Sequence, residues 1–188
     1  NAYTNFNSTC YLFSATDNFN ESLEILIDFV QSPYLTEENV EKEKGIIEQE
    51  IRMYEDNPHW RVFFNALKCL YHDHPVKIDI AGTVESIYKI TKDDLIKCYN
   101  TFYVPNNMVV VIVGDVDKDE CAKIIEKNLK ESFIKNNSNK VERLLPNEKE
   151  EVNQEKIEEY LSISMPIFNI AFKDTETSLR GRELLRKE

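Results

Sequence analysis

The sequence has little positive charge, few glycines and no long apolar run. It carries 23 Lys and Arg against 34 Asp and Glu, a formal net charge of −11. Such a chain cannot neutralise nucleic-acid phosphates or bind an anionic membrane through charge. Its 4 glycines never cluster, which excludes a glycine-rich phosphate loop. No apolar run approaches the roughly 20 residues that a membrane span needs, so we expect neither nucleic acid nor a membrane as a partner.

Paired cysteines and a secretory start are also missing. The 4 cysteines lie far apart and form no Cys-x-x-Cys pair, so neither a zinc ribbon nor a redox motif is predicted. No positively charged start leads into an apolar segment, and free thiols suit a reducing compartment. We therefore expect a cytoplasmic protein. Its 188 residues, 41% of them hydrophobic, are enough for one sizeable core or two small ones.

The hydrophobic periodicity predicts helices and strands that do not alternate strictly. Helices are predicted over 19–31, 37–56, 58–71, 84–88, 92–103, 117–131 and 176–188. Strands are predicted over 1–6, 9–15, 107–114, 157–165 and 167–172. Helix caps are predicted at Asn18 with Glu21, at Thr36, and at Thr91 with Asp94. The pattern favours an α+β fold, a mixed or antiparallel sheet with helices packed on one face.

The helix that includes residues 40–57 places two carboxylates among apolar side chains. On a helical wheel, Glu43 and Glu50 fall in the sector of the isoleucines, two turns apart. Carboxylates that face a core need a cation, a positively charged partner or a proton. One interpretation is that each meets an Arg or a backbone N–H, or reaches out to water. The other is that one binds a metal ion and the other supports the site.

The histidines are weaker metal candidates. His59 stands at a helix start, and His72 and His74 lie in a predicted loop two residues apart. A helical pair that binds zinc from one face needs a spacing of about four residues. We therefore expect these side chains to pack in the loop or to lie on the surface.

Five segments follow one another along the chain: Asn1–Thr4, Glu41–Pro58, His74-Pro75, Gly82–Ile87 and Pro105–Val116. In this order they resemble landmarks of the insulinase/pitrilysin family. The resemblance is to the first lobe, and in detail to bacterial insulinase-like proteins usually paired with a second, related subunit. It is specific over residues 1–116 and weaker beyond about residue 132.

The resemblance implies a fold, a cofactor and site residues. It implies a lobe like that of insulinase and mitochondrial processing peptidase, with zinc held by an inverted His-x-x-Glu-His motif and a distal Glu. By position, Glu50 resembles the distal zinc ligand, and Glu43 resembles the supporting carboxylate one heptad earlier. The strand Asn1, Ala2, Tyr3 and Thr4 resembles the edge strand that pairs with an extended peptide substrate.

The zinc motif itself is absent from these 188 residues. The general-base Glu and two zinc ligands would therefore lie outside this chain. A catalytic zinc site needs three protein ligands and a water. We thus expect zinc in the intact protein, but none held by this chain alone, and no activity from this chain alone.

The resemblance leaves the domain division and the function as expectations. Residues 1–131 are expected to form most of the first lobe, 132–156 a linker or long loop, and 157–188 the start of a second lobe. The expected function is that of a zinc metalloendopeptidase acting on peptides or unfolded segments, with a second lobe or related subunit as partner. The alternative is a non-catalytic subunit that holds substrate or builds a complex; a structural α+β domain with chance similarity is a third interpretation.

Overall fold

The computed structural model describes residues 1–135, 141–142, 144 and 146–174. Its elements confirm the α+β class, with a small antiparallel sheet and many helices. The strands are β1 (Ala2–Thr4) and β2 (Thr9–Tyr11). The helices are α1 (Phe19–Gln31), α2 (Glu37–Glu55), α3 (Pro58–Leu70), α4 (Val84–Lys89), α5 (Lys92–Phe102), α6 (Lys118–Asn128) and α7 (Glu131–Lys135). Short 3₁₀ turns cover Pro75–Lys77 and Pro105–Asn107.

The chain divides into two compact units, and the division falls within α2. The first unit comprises Asn1–Glu48 and Val84–Arg143, and the second comprises Gln49–Thr83 and Leu144–Glu188. The expected boundaries at residues 131 and 156 stay a prediction. Among the described helices, none is long and apolar enough to cross a membrane.

The core of the first unit lies between the β1–β2 hairpin, α1 and α6. Leu23 on α1 and Cys121 on α6 are buried there. The ring of Tyr11 on β2 meets Phe29 edge-on, with 5.8 Å between ring centroids. The Tyr11 hydroxyl also lies 2.6 Å from that of Tyr103. Burial raises the pKa of Tyr103, and this hydrogen bond acts in the same direction, so the phenol stays neutral.

The second unit is built around α3 and an aromatic cluster. Phe64 on α3 is buried, and Trp60 stacks on Tyr54 with 4.6 Å between ring centroids. The helix starts sharply because the Asn57 side chain accepts hydrogen bonds from the backbone N–H groups of His59 and Trp60. Pro58 occupies the first position, where a missing N–H costs nothing. The predicted start of this helix is confirmed.

Two of the three predicted caps are confirmed. The Thr36 hydroxyl accepts from Asn39 N at 3.1 Å, and Thr91 and Asp94 form a reciprocal capping box. The predicted Asn18 cap is wrong. Asn18 adopts a left-handed conformation with φ of 53° and makes no side-chain cap hydrogen bond. In that conformation its side chain does not reach the first helical N–H groups.

The predicted strands after residue 106 are wrong for this structure. Residues 108–113 are apolar but form no ladder, and Val109 and Val113 are 84% and 93% exposed. Residues 157–165 and 167–172 also lack strand pairing. A strand exists only when a neighbour supplies hydrogen bonds, and no described segment of the chain does so here. The predicted terminal helix 176–188 lies outside the described residues.

Gly45 gives a first testable expectation. It lies inside α2, and a Cβ added there would meet nothing within 4 Å. Glycine in a helix interior costs about 0.5–1 kcal/mol relative to alanine. Gly45→Ala should therefore raise the free energy of unfolding of this chain by about that amount, measured by urea denaturation. A destabilised variant would show that the position is closer packed than the structure has it.

Candidate functional site

The two predicted site carboxylates lie on one exposed face of α2. Glu43 and Glu50 are both exposed, and about 10 Å of helix separates their backbones. Ile46 and Met53 belong to the same face and are 51% and 59% exposed. The expectation that both carboxylates turn toward the core is therefore wrong in this structure. The face does combine carboxylates with apolar side chains, and that combination is what the wheel detected.

The buried side of α2 is not the one that carries Glu43 and Glu50. Val40 and Ile51 are buried, and the charged group between them is Lys44, of which only 8% is exposed. The Lys44 ammonium lies 2.6 Å from the Glu41 carboxylate, so this buried charge is paired as it must be. A helical wheel gives only the angle of each position around the helix axis. In this structure the core covers the sector next to the one that holds Glu43 and Glu50.

Glu50 is held by the aromatic cluster of the second unit. Tyr54, one turn later on α2, hydrogen-bonds to the Glu50 carboxylate. Burial raises the pKa of Tyr54, and the negative charge of Glu50 acts in the same direction. Tyr54 stacks on Trp60, and the Trp60 indole N–H donates to Asp79 Oδ2 at 2.5 Å. These contacts restrict the Tyr54 ring, so the hydroxyl that reaches Glu50 is preorganised.

A cavity of about 610 Å³ opens beside this cluster within the second unit. Its lining comes from α2, α3, the loop that follows α3 and the segment around Ile157. The apolar lining includes Ile51, Tyr54, Trp60, Phe64, Ile78 and Ile157. This volume is in the range of small-ligand sites, and such an apolar wall suits an apolar group. Because Tyr54 lines the cavity and touches Glu50, the cavity lies next to the carboxylate.

The first strand has an open edge. Asn1 exchanges both backbone hydrogen bonds with Leu12, each at 2.9 Å, and Tyr3 stands opposite Cys10. In an antiparallel pair, hydrogen-bonded and non-bonded positions alternate. The N–H and C=O groups of Ala2 and Thr4 therefore point away from β2. Within the described part of the chain the sheet is two-stranded, so these groups face a free edge.

The described residues do not complete a metal site. No group of three or more His, Cys, Asp or Glu side chains among them could hold an ion. Glu50 fits the role of a single oxygen ligand, since it is exposed, anchored to a helix and held by a hydrogen bond. His74 Nδ1 accepts from Val76 N at 3.1 Å, which is a loop-packing contact. His72 Nε2 is buried without a partner.

Two family models cover nearly the whole chain. Residues 1–84 match the model described as insulinase (peptidase family M16), and residues 89–179 match the model described as the M16 inactive domain. The chain belongs to the insulinase family of peptidases. The resemblance of the matched segments is thereby confirmed, and the free edge of β1 and the Glu43–Glu50 helix both lie within the first model.

Relatives and a solved structure agree with this membership. The chain is 47% identical over its whole length to an uncharacterized zinc protease, YmfH, of Bacillus subtilis, and covers 44% of that protein. It is 32% identical over 68% of its length to the β subunit of mitochondrial-processing peptidase of Caenorhabditis elegans, covering 28% of it. A putative M16-like peptidase from Alicyclobacillus acidocaldarius superposes with a TM-score of 0.75 at 50% identity, over 82% of this chain and 36% of that one. The chain thus spans less than half the length of these proteins.

Sequence reasoning did not find the cavity or the cluster that holds Glu50. A signal was present, because Tyr54 follows Glu50 by four residues and the single Trp follows Tyr54 by six. Side chains four apart on a helix face each other, so the Tyr54–Glu50 contact was within reach of the sequence. The Trp60–Asp79 hydrogen bond was not, since it joins a helix to a loop.

Proposed function

We propose that this chain is part of a zinc-dependent metalloendopeptidase that cleaves peptides or unfolded segments. In an intact protein as long as its relatives, Glu50 would be one zinc ligand and Glu43 a supporting carboxylate. Zinc would activate the attacking water. The remaining ligands and the general base would come from outside these 188 residues, so this chain alone is proposed to be inactive and to hold no zinc.

One observation carries the proposal: an exposed carboxylate on a rigid helix, held by a tyrosine beside an apolar cavity. Glu50, Tyr54 and the cavity belong to the second unit. A surface carboxylate without a ligand needs no such support. A zinc ligand does, because partners that orient a ligand tune metal affinity.

The proposed substrate is an extended polypeptide. The N–H and C=O groups of Ala2 and Thr4 would pair with the peptide backbone, which gives affinity with little sequence demand. Considered by itself, the cavity of the second unit suits an apolar side chain. The cytoplasm is the proposed compartment, in keeping with the four cysteines, all of which are free.

Proline substitutions test the edge strand. Ala2→Pro removes an outward N–H, whereas Tyr3→Pro removes one that belongs to the β1–β2 ladder. In the intact protein, cleavage of a broad peptide library should be abolished by a chelator. Ala2→Pro should lower kcat/KM roughly 10-fold, the value of one backbone hydrogen bond in a dry site, with an unchanged melting temperature.

The matched variant Tyr3→Pro should lower the melting temperature instead. If Ala2→Pro left kcat/KM unchanged, the outward edge would not bind substrate. If the intact protein cleaved nothing in the library, the metallopeptidase proposal itself would be wrong.

A second candidate is a non-catalytic subunit that holds substrate or supports a complex. It is favoured by the match of residues 89–179 to a model described as an inactive domain. Both candidates share a second lobe or related subunit as partner. Zinc in the intact protein separates them, since the non-catalytic subunit has no need of the metal.

A further inference from the structure

The segment 148–159 lies along α3 in the second unit. Gln154 N donates to Cys69 O at 3.0 Å, and the Asn153 side chain donates to Lys68 O at 3.0 Å. These two contacts use carbonyls of the last turn of α3, which have no partner inside the helix. The middle of the segment therefore lies against the C-terminal end of α3.

One end of the segment is held by Glu148. Its carboxylate accepts hydrogen bonds of 2.7 to 2.8 Å from the backbone N–H groups of His72, Asp73 and His74. Lys173 Nζ donates to it at 2.9 Å and lies 5.3 Å from the centroid of the Tyr71 ring. Desolvation opposes ionisation, but these hydrogen bonds prevail and hold the pKa of Glu148 well below its usual range. This end is a fixed attachment.

The other end is held by a single ion pair. Arg61 on α3 binds Glu159 through two nitrogens, with 2.9 Å between Nε and Oε2. Asn65 adds a third hydrogen bond of 3.0 Å. Hydrogen bonding to Arg61 lowers the pKa of Glu159 to about 2, so the pair is ionised at neutral pH. Both side chains remain 32% exposed, and an exposed pair of this kind is easier to open than the Glu148 attachment.

Between these attachments the segment forms part of the cavity wall. Asn153, Gln154 and Ile157 line the cavity together with residues of α3 that include Trp60 and Phe64. Arg61 lines the same cavity, so the ion pair lies beside it. Opening the pair would move Ile157 away from the aromatic wall and widen the entrance.

We propose that residues 148–159 form a strap over the cavity, hinged at Glu148, and that the Arg61–Glu159 pair is the clasp that controls entry of an apolar side chain. With the clasp closed, Ile157 narrows the cavity and Glu159 neutralises Arg61. With the clasp open, the aromatic wall is accessible. That an apolar side chain enters the cavity rests on the proposed peptidase function. The strap formed by residues 148–159 does not depend on that function.

The single Trp of the chain reports on the strap directly, because Trp60 lines the cavity. Glu159→Gln removes the charge of the clasp and should speed exchange of the Gln154 amide about fivefold, the value of a well-formed exposed ion pair. Acrylamide should quench Trp60 fluorescence more strongly in that variant. The matched control is Glu158→Gln, since Glu158 pairs with Lys156 and not with α3. Both readouts should be unchanged in the control.

If the exchange rate of the Gln154 amide and the quenching of Trp60 are the same in Glu159→Gln as in the unsubstituted chain, the strap proposal is wrong. If Glu159→Gln does not fold, Asn65→Ala takes its place, because it keeps the ion pair and removes one hydrogen bond to Glu159. A smaller increase in the same direction is expected there, and no increase would overturn the proposal.

The occupant is tested with N-acetyl-phenylalanine amide as the probe. We expect it to shift Trp60 emission and to bind more tightly to Glu159→Gln. If the Gln154 amide exchanges faster in Glu159→Gln but the probe does not bind, the strap is supported and the proposal of an apolar occupant is wrong. Binding that is unaffected by Glu159→Gln would overturn the clasp as the control of entry. Failure of the peptidase proposal would be seen separately, as an intact protein that binds the probe but cleaves no peptide.

Discussion

Glu50→Gln in the intact protein is expected to remove most of its zinc. A neutral amide is a poor zinc ligand, and the substitution also removes a negative charge that balances the ion. Loss of an outer partner typically costs 10- to 100-fold in metal affinity, so loss of a primary ligand should cost more than about 100-fold. Zinc content after dialysis, measured by atomic emission, checks this, and peptide cleavage should disappear with the metal.

Two other substitutions on α2 serve as comparisons for Glu50→Gln. Glu43→Gln should keep more of the zinc but lower turnover about 10- to 100-fold, as expected of a supporting carboxylate. Glu38→Gln changes an exposed carboxylate in the first turn of α2 and should change neither. Full zinc retention in Glu50→Gln would show that Glu50 is not a ligand. Equal losses in all three variants would point to a general effect of charge.

Phe64→Ala is expected to destabilise the second unit by about 3–5 kcal/mol, the usual cost of emptying a buried aromatic site. Phe64 is only 4% exposed and packs against Trp60, with 5.1 Å between ring centroids. Its loss would also leave Trp60, which stacks on Tyr54, less well packed. The free energy of unfolding by urea, followed by Trp60 fluorescence, measures the effect.

The neighbouring Phe63 provides the comparison. It is 44% exposed, so Phe63→Ala removes less buried surface and should cost less than about half as much. If the two variants were equally destabilised, Phe64 would not be the buried core residue that the structure shows. Unchanged Trp60 emission in Phe64→Ala would argue against the aromatic cluster.

The helices of this protein were predictable because their signals are local. An apolar stripe, a proline at the first position and a threonine–aspartate box all act within one or two turns. Accordingly, α1 begins and ends where predicted, and the Thr91 box that starts α5 is present. Asn18 failed as a cap because its backbone is left-handed.

The strands and the direction of the two carboxylates were less predictable because they depend on distant segments. The run Val109–Val113, four valines and one isoleucine, has a strong strand composition, yet pairing requires a neighbouring chain segment. Likewise, the spacing of Glu43 and Glu50 places them on one line of the helix, but which line the core covers is decided by what packs against α2. Their roles as supporting carboxylate and zinc ligand stay predictions.

By itself, then, the sequence determined the family, the order of the helices and the exposed edge-strand segment at residues 1–4, since each is written in short, contiguous patterns. Only the tertiary structure decided that Glu50 is held by Tyr54 beside a cavity, that Lys44 is the buried charge of α2, and that residues 148–159 lie along α3. Glu159 and Arg61 are 98 residues apart in the chain. No local pattern encodes such a contact, because it forms only after the intervening elements have packed and brought the two charges within hydrogen-bonding distance.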